Sequence, residues 1–82
     1  MQELEDIILD VLDGLGADDE TLLFIYPTSC NTVFDVELRY EDSRLRVEVI
    51  REKLPMVTLV ENRGWDLSFE RLFINDLIDS LY

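Results

Sequence analysis

The sequence predicts a single small α+β domain of order α-β-β-β-β-α, residues 1–82, with one antiparallel three- to four-stranded sheet and both helices packed on one face. Three observations lead there. A helical apolar stripe opens the chain, strict alternation fills its middle, and a broader helical stripe closes it. A chain of 82 residues is one domain. Hydrophobic residues make up 48% of it, enough for one core despite a net charge of −12.

Leu4, Ile7, Ile8, Val11, Leu12 and Leu15 recur at i, i+3, i+4 and i+7. That spacing predicts an amphipathic helix of about three and a half turns. Gly14 and Gly16 are its stop residues. The run Thr21–Tyr26, TLLFIY, reads as a largely buried strand closed by Pro27. From Val33 to Tyr40, Phe34, Val36, Leu38 and Tyr40 share one face, and Asp35, Glu37 and Arg39 the other. Arg44 to Arg51 repeats the alternation, with Leu45, Val47 and Val49 inward. The turn signal Tyr40-Glu41-Asp42-Ser43 joins the two as a hairpin with one wet face. Met56–Glu61 supplies a shorter strand, and Gly64 turns the chain. The segment WDLSFERLFINDLIDSLY is the second helix, with Asp66 or Ser68 as its cap. Its apolar residues cover more than half its circumference, more than one sheet face needs.

Most chemistry is missing. There is no histidine, the commonest general base. The lone Cys30 has no His or cation beside it in sequence to activate it, and reads as an ordinary loop residue. An 82-residue chain has little room for a deep cleft, so no enzymatic activity and no cofactor are expected. The stretch DGLGADDE lacks the alternating ligand spacing and distal Glu of a calcium loop, and Cys/His zinc patterns are absent, so no metal is expected. Arg39, Arg44, Arg46, Arg51 and Lys53 are interleaved with acids, which reads as cross-strand neutralisation rather than a nucleic-acid patch. No apolar run approaches a membrane span, and no secretory signal is visible, so the cytoplasm is the default compartment.

The charge is unevenly placed. Residues 1–38 hold ten acids and no base, whereas residues 39–71 hold seven of each. Glu3, Asp6, Asp10 and Asp13 line one side of the first helix, opposite its apolar stripe. Their rise is about 4.5–6 Å from one to the next. Like charges at these intervals cost stability, and Asp10 and Asp13 also oppose the helix dipole. Folding alone does not call for this row. A salt-adapted surface would be acidic throughout, which the balanced middle of the chain contradicts. A solubilising face is the plain alternative. A row of carboxylates also suits a groove built for phosphates, since Arg and Lys meet both.

The expected role is therefore a non-enzymatic inhibitor that binds a basic, nucleic-acid-binding protein without binding nucleic acid or membrane itself. Its face would comprise Glu3, Asp6, Asp10, Asp13, Asp18, Asp19 and Glu20, with Asp35 and Glu37 extending it across the wet sheet face. In acidity, length and helix–strands–helix order the chain loosely resembles phage-encoded inhibitors of host defence, the anti-CRISPR and anti-restriction proteins, some Cas9 inhibitors included. The resemblance implies a DNA mimic acting in the host cytoplasm, and it carries over no site residue. A second expectation rests on the broad stripe of the last helix, flanked by Trp65 and Tyr82. It would serve a homodimer, or a module of the immunity-protein, antitoxin or secretion-chaperone kind. The plainer alternative, which a small core favours, is that this helix is simply the central core element, clamped by the first helix and the sheet.

Overall fold

The structure, a computed structural model, describes residues 3–82. Its elements are α1 (Leu4–Gly14), β1 (Leu22–Pro27), β2 (Val33–Tyr40), β3 (Ser43–Ile50), β4 (Met56–Arg63) and α2 (Leu67–Leu81). The four strands form one antiparallel sheet in the order β1-β2-β3-β4. Each strand pairs with its sequence neighbour, so local connections suffice to build the whole sheet. The α-β-β-β-β-α order is the one expected.

Alternation decides the two sheet faces. Val36 and Leu38 of β2, Leu45, Val47 and Val49 of β3, and Val57 of β4 are buried with Leu4, Ile7, Ile8, Val11 and Leu12 of α1 and Phe73 and Leu77 of α2. Each such side chain contributes about 1.5–3 kcal/mol by leaving water. This burial holds the helices on the sheet, since α1 has no side-chain N-cap and no basic residue in its last turn. Ala17 N donates to Leu12 O (3.0 Å) and Gly16 N to Asp13 O (3.1 Å), and Gly16 sits at φ 72°. That is a Schellman ending, and it needs a residue that tolerates the left-handed region. The helix α2 is capped by Asp66, whose Oδ1 accepts from Ser68 N at 2.7 Å.

Two details differ from the sequence reading, and a third decides between alternatives it left open. First, β1 is an edge strand, and alternation turns Leu22 and Tyr26 to the outer, wet face of the sheet, where they are exposed. Second, β4 runs on to Arg63 through a register shift between Arg46 and Val47 of β3, which accommodates Val60 as an extra residue. Third, α2 is mainly a core element. Phe73 and Leu77 are fully buried, Phe69, Ile74, Ile78 and Leu81 are partly buried, and Leu67 and Leu72 remain exposed.

Candidate partner-binding surface

With both helices on one side of the sheet, charge divides between two layers. The helices, the loop from Gly14 to Thr21 and the turn before α2 hold twelve carboxylates and one base, Arg71. The strands and their connections hold seven carboxylates and six bases. The helical layer therefore carries almost the whole of the −12.

On α1, Glu3, Asp6, Asp10 and Asp13 are all exposed, as their spacing requires. Asp18, Asp19 and Glu20 are exposed in the loop that leaves the helix. Among the described residues, no Lys or Arg pairs with Glu3, Asp6, Asp13, Asp19 or Glu20. Asp18 is tied locally: Oδ1 accepts from Glu20 N (2.8 Å), and Oδ2 accepts from the Tyr40 hydroxyl (3.1 Å). That hydrogen bond to a carboxylate holds the Tyr40 phenol above its usual range. The row continues onto the neighbouring helix. Asp10, Val11 and Gly14 of α1 line a groove of about 320 Å³ with Asp76, Asp79 and Ser80 of α2. A smaller depression of about 200 Å³ joins Asp13 to Asp18 and Asp19. Asp76 and Asp79 were outside the sequence-predicted face. Their acidity is visible in the last turns of the chain, but only helix packing brings them beside Asp10.

Asp35 and Glu37 do not extend this face. They lie on the opposite side of the sheet, separated from the helices by the core. Glu37 is also only 4% exposed. Register explains why. Leu22, Arg39, Arg44 and Arg63 stand side by side across the four strands, with Phe24, Glu37, Arg46 and Glu61 in the next row. Like charges directly opposite one another are unfavourable, and Glu37 offsets them. It accepts from Arg39 Nε and from Arg44 Nη2 (3.3 Å), and Arg46 Nε approaches to 4.0 Å. Burial would raise its pKa, but the hydrogen bonds from Arg39 and Arg44 outweigh that and hold the carboxyl below its usual range. The Arg39 guanidinium also lies over the Phe24 ring, 5.0 Å from its centroid. Glu37 is thus the hub of a charge-paired cluster, and its carboxylate is already taken up by Arg39 and Arg44.

At the other end of the helical layer, Asn62 closes the β4–α2 turn. It donates to Trp65 O (3.2 Å) and Glu70 Oε1 (2.7 Å) and accepts from Trp65 N (3.0 Å). Trp65 is thereby stacked on Phe69 at 4.8 Å and tilted toward Tyr40 at 6.5 Å. Cys30 is exposed, and a hydrogen bond with the Thr32 hydroxyl (3.2 Å) lowers its thiol pKa. Among the described residues, no cluster of His, Cys, Asp and Glu is placed to hold a metal ion, and no helix is long and apolar enough to cross a membrane.

Fold and surface together define a class: a two-layer α+β domain whose helical layer is anionic and whose sheet layer is nearly balanced in charge. Comparison with protein-family models, curated proteins and solved structures finds no match.

Proposed function

We propose that this protein is a non-enzymatic binding protein whose acidic helical layer covers the nucleic-acid-binding surface of a basic partner, in the manner of a DNA mimic. One observation carries the reading: twelve carboxylates against one base on the helical layer, running from α1 across to Asp76 and Asp79. DNA presents a phosphate every 3.4 Å along each strand. A carboxylate row stepping about 4.5–6 Å along a helix is of the same order, so a groove lined with Arg and Lys can receive it. An inhibitor of anti-CRISPR or anti-restriction type is the finer form of this proposal.

The test is the triple variant Asp6→Lys, Asp10→Lys, Asp13→Lys, with circular dichroism as the fold control. Exposed charge pairs are worth about 0.2–1 kcal/mol each. Exchanging three attractions for three repulsions costs about 1–6 kcal/mol, so binding falls at least about fivefold. The wild-type protein is used to capture its partner. The partner should be a nucleic-acid-binding protein released by added salt and by duplex DNA. Undiminished capture by the triple variant at low salt would sink the reading.

A second reading keeps one observation of its own. Leu67 and Leu72 of α2 are 66% and 51% exposed, so an apolar contact of immunity-protein, antitoxin or dimer type would use them. Phe73, fully buried, has no part in it. Such binding would resist salt and fail on Leu72→Glu.

A further inference from the structure

Where the acidic loop meets the aromatic turn, a cavity of about 270 Å³ opens between the start of α2 and the end of α1. Tyr40, Trp65 and Phe69 supply its rings, and Asp18 and Asp66 stand in its wall. We infer that this pocket takes one arginine side chain from the basic partner. The inference rests on the partner being basic, as proposed above.

The size points to a side chain. Pockets for drug-sized ligands begin at about 300 Å³, and this one is smaller. The wall chemistry points to a cation. Aromatic faces attract cations through their quadrupoles, most strongly Trp. Carboxylates beside those rings add direct attraction and disfavour anions. The Asp18 carboxylate already accepts from Glu20 N and from Tyr40, and a carboxylate has about four acceptor sites, so room remains for a guanidinium N–H. Within the planar cations of proteins, arginine stacks on rings and reaches a carboxylate with a fork of donors, which lysine does not do.

Among the described residues, Thr21 Oγ1 and Trp65 Nε1 are buried without a hydrogen-bond partner on two residues of the pocket wall, although buried polar groups are ordinarily paired. The pocket is also held open by its own frame, since Asn62 fixes Trp65 through both main-chain atoms. A rigid aromatic anchor site beside a charged surface is the usual anatomy of an interface hot spot.

Trp65 is the sole tryptophan, so its fluorescence reads the pocket directly. The probe is acetyl-Gly-Arg-Gly-amide, compared with the same peptide carrying citrulline, which keeps the shape and loses the charge. At about 0.15 M salt the Debye length is about 8 Å, which screens generic attraction. The arginine peptide should shift Trp65 emission saturably in the millimolar range and move the Trp65 indole and Phe69 ring resonances. The citrulline peptide should bind at least about tenfold more weakly, and the lysine peptide should fall between them. Asp18→Asn retains an oxygen for Tyr40 and should weaken the arginine peptide by several-fold with an unchanged circular dichroism spectrum. Equal binding of arginine and citrulline would overturn the inference. So would an arginine peptide that perturbs only α1 and leaves Trp65 unmoved, even if the triple Lys variant still loses its partner. Arginine-selective binding would uphold the pocket even if partner capture proved indifferent to α1.

Discussion

Replacing Glu37 by Gln keeps the side-chain shape and removes the charge at the centre of the outer sheet face. The structure sets the size of the effect. Glu37 accepts hydrogen bonds from Arg39 and Arg44 while its side chain is only 5% exposed. Hydrogen bonds to charged groups contribute about 1.5–3 kcal/mol each. Gln retains one acceptor oxygen but turns an NH2 group toward the guanidinium donors, so about one such bond is lost. The arginine side chains are 47%, 38% and 40% exposed for Arg39, Arg44 and Arg46, so water re-solvates them and the Coulombic loss is small. Relief of carboxylate desolvation offsets part of it. The net expectation is about 1.5–2.5 kcal/mol of destabilisation at neutral pH, a fall in Tm of about 6–20 °C for a domain of this size. The pH dependence has a definite sign. The folded-state pKa lies below the unfolded value of about 4.5. Stability from Glu37 is therefore fully present above about pH 4.5 and is lost as the pH falls through the lowered folded value. Urea titrations of both proteins between pH 3 and pH 7, followed by Trp65 fluorescence, measure the difference directly. A gap that is absent at pH 7, or that persists unchanged at pH 3, would refute the ion-cluster account.

Three other perturbations test the frame around the surface. Asp66→Ala removes the Oδ1 acceptor for Ser68 N and should cost about 1 kcal/mol by urea unfolding; an unchanged midpoint would mean the cap is idle. Gly64→Ala places a Cβ 2.7 Å from Ser43 Oγ at φ 91° and should cost about 1–3 kcal/mol, with retained stability refuting the assigned turn. Asp79→Lys puts a cation in the last turn of α2, where there is no base, and should raise stability by about 0.3–1 kcal/mol at low salt. Repeating that measurement at 1 M salt should erase most of the gain, because the Debye length falls to about 3 Å.

Much of this was legible in the chain. The stripe of Leu4, Ile7, Ile8, Val11 and Leu12 marks α1 because its period matches nothing but a helix. The two-residue loop Glu41-Asp42 follows from where alternation stops, and the structure holds Glu41 at φ 53°, the sign that tight hairpins demand. What sequence spacing could not supply was lateral information. TLLFIY reads as a largely buried strand, and only the sheet register shows that Leu22 and Tyr26 share the wet face with Arg39 and Asp35. Glu37 alternates with Val36 and Leu38 and so belongs on the wet face. Only the register with β1 and β3 sets Phe24 and three arginines around it. Asp76 and Asp79 look like the polar side of α2, and helix packing makes them neighbours of Asp10. The pocket unites Asp18, Tyr40 and Trp65, which are scattered along the chain.

The two layers differ in how far their charges are paired, and that contrast supports the proposed division between folding and binding. On the sheet, the facing arginines have a nearby remedy: Arg39 faces Arg44 and Arg44 faces Arg63, with Glu37 and Glu61 paired to them, while Asp35 and Glu48 face each other as two acids across β2 and β3. The arginine charges are accounted for by the fold that holds them. On the helices the violations recur without that remedy. Asp13 stands in the last turn of α1 and Asp79 in the last turn of α2, both at the negative end of a helix dipole. Neither helix has a base there, and the packing that buries Val11 and Phe73 brings the two acidic rows together rather than apart. A solubilising surface needs net charge, but it gains nothing from gathering like charges along one groove. Local rules broken repeatedly in one direction, on one face, are where a natural sequence gives up stability for function. The apolar core supplies the stability that permits it, and the acidic rows are left facing outward, where the proposed basic partner would meet them.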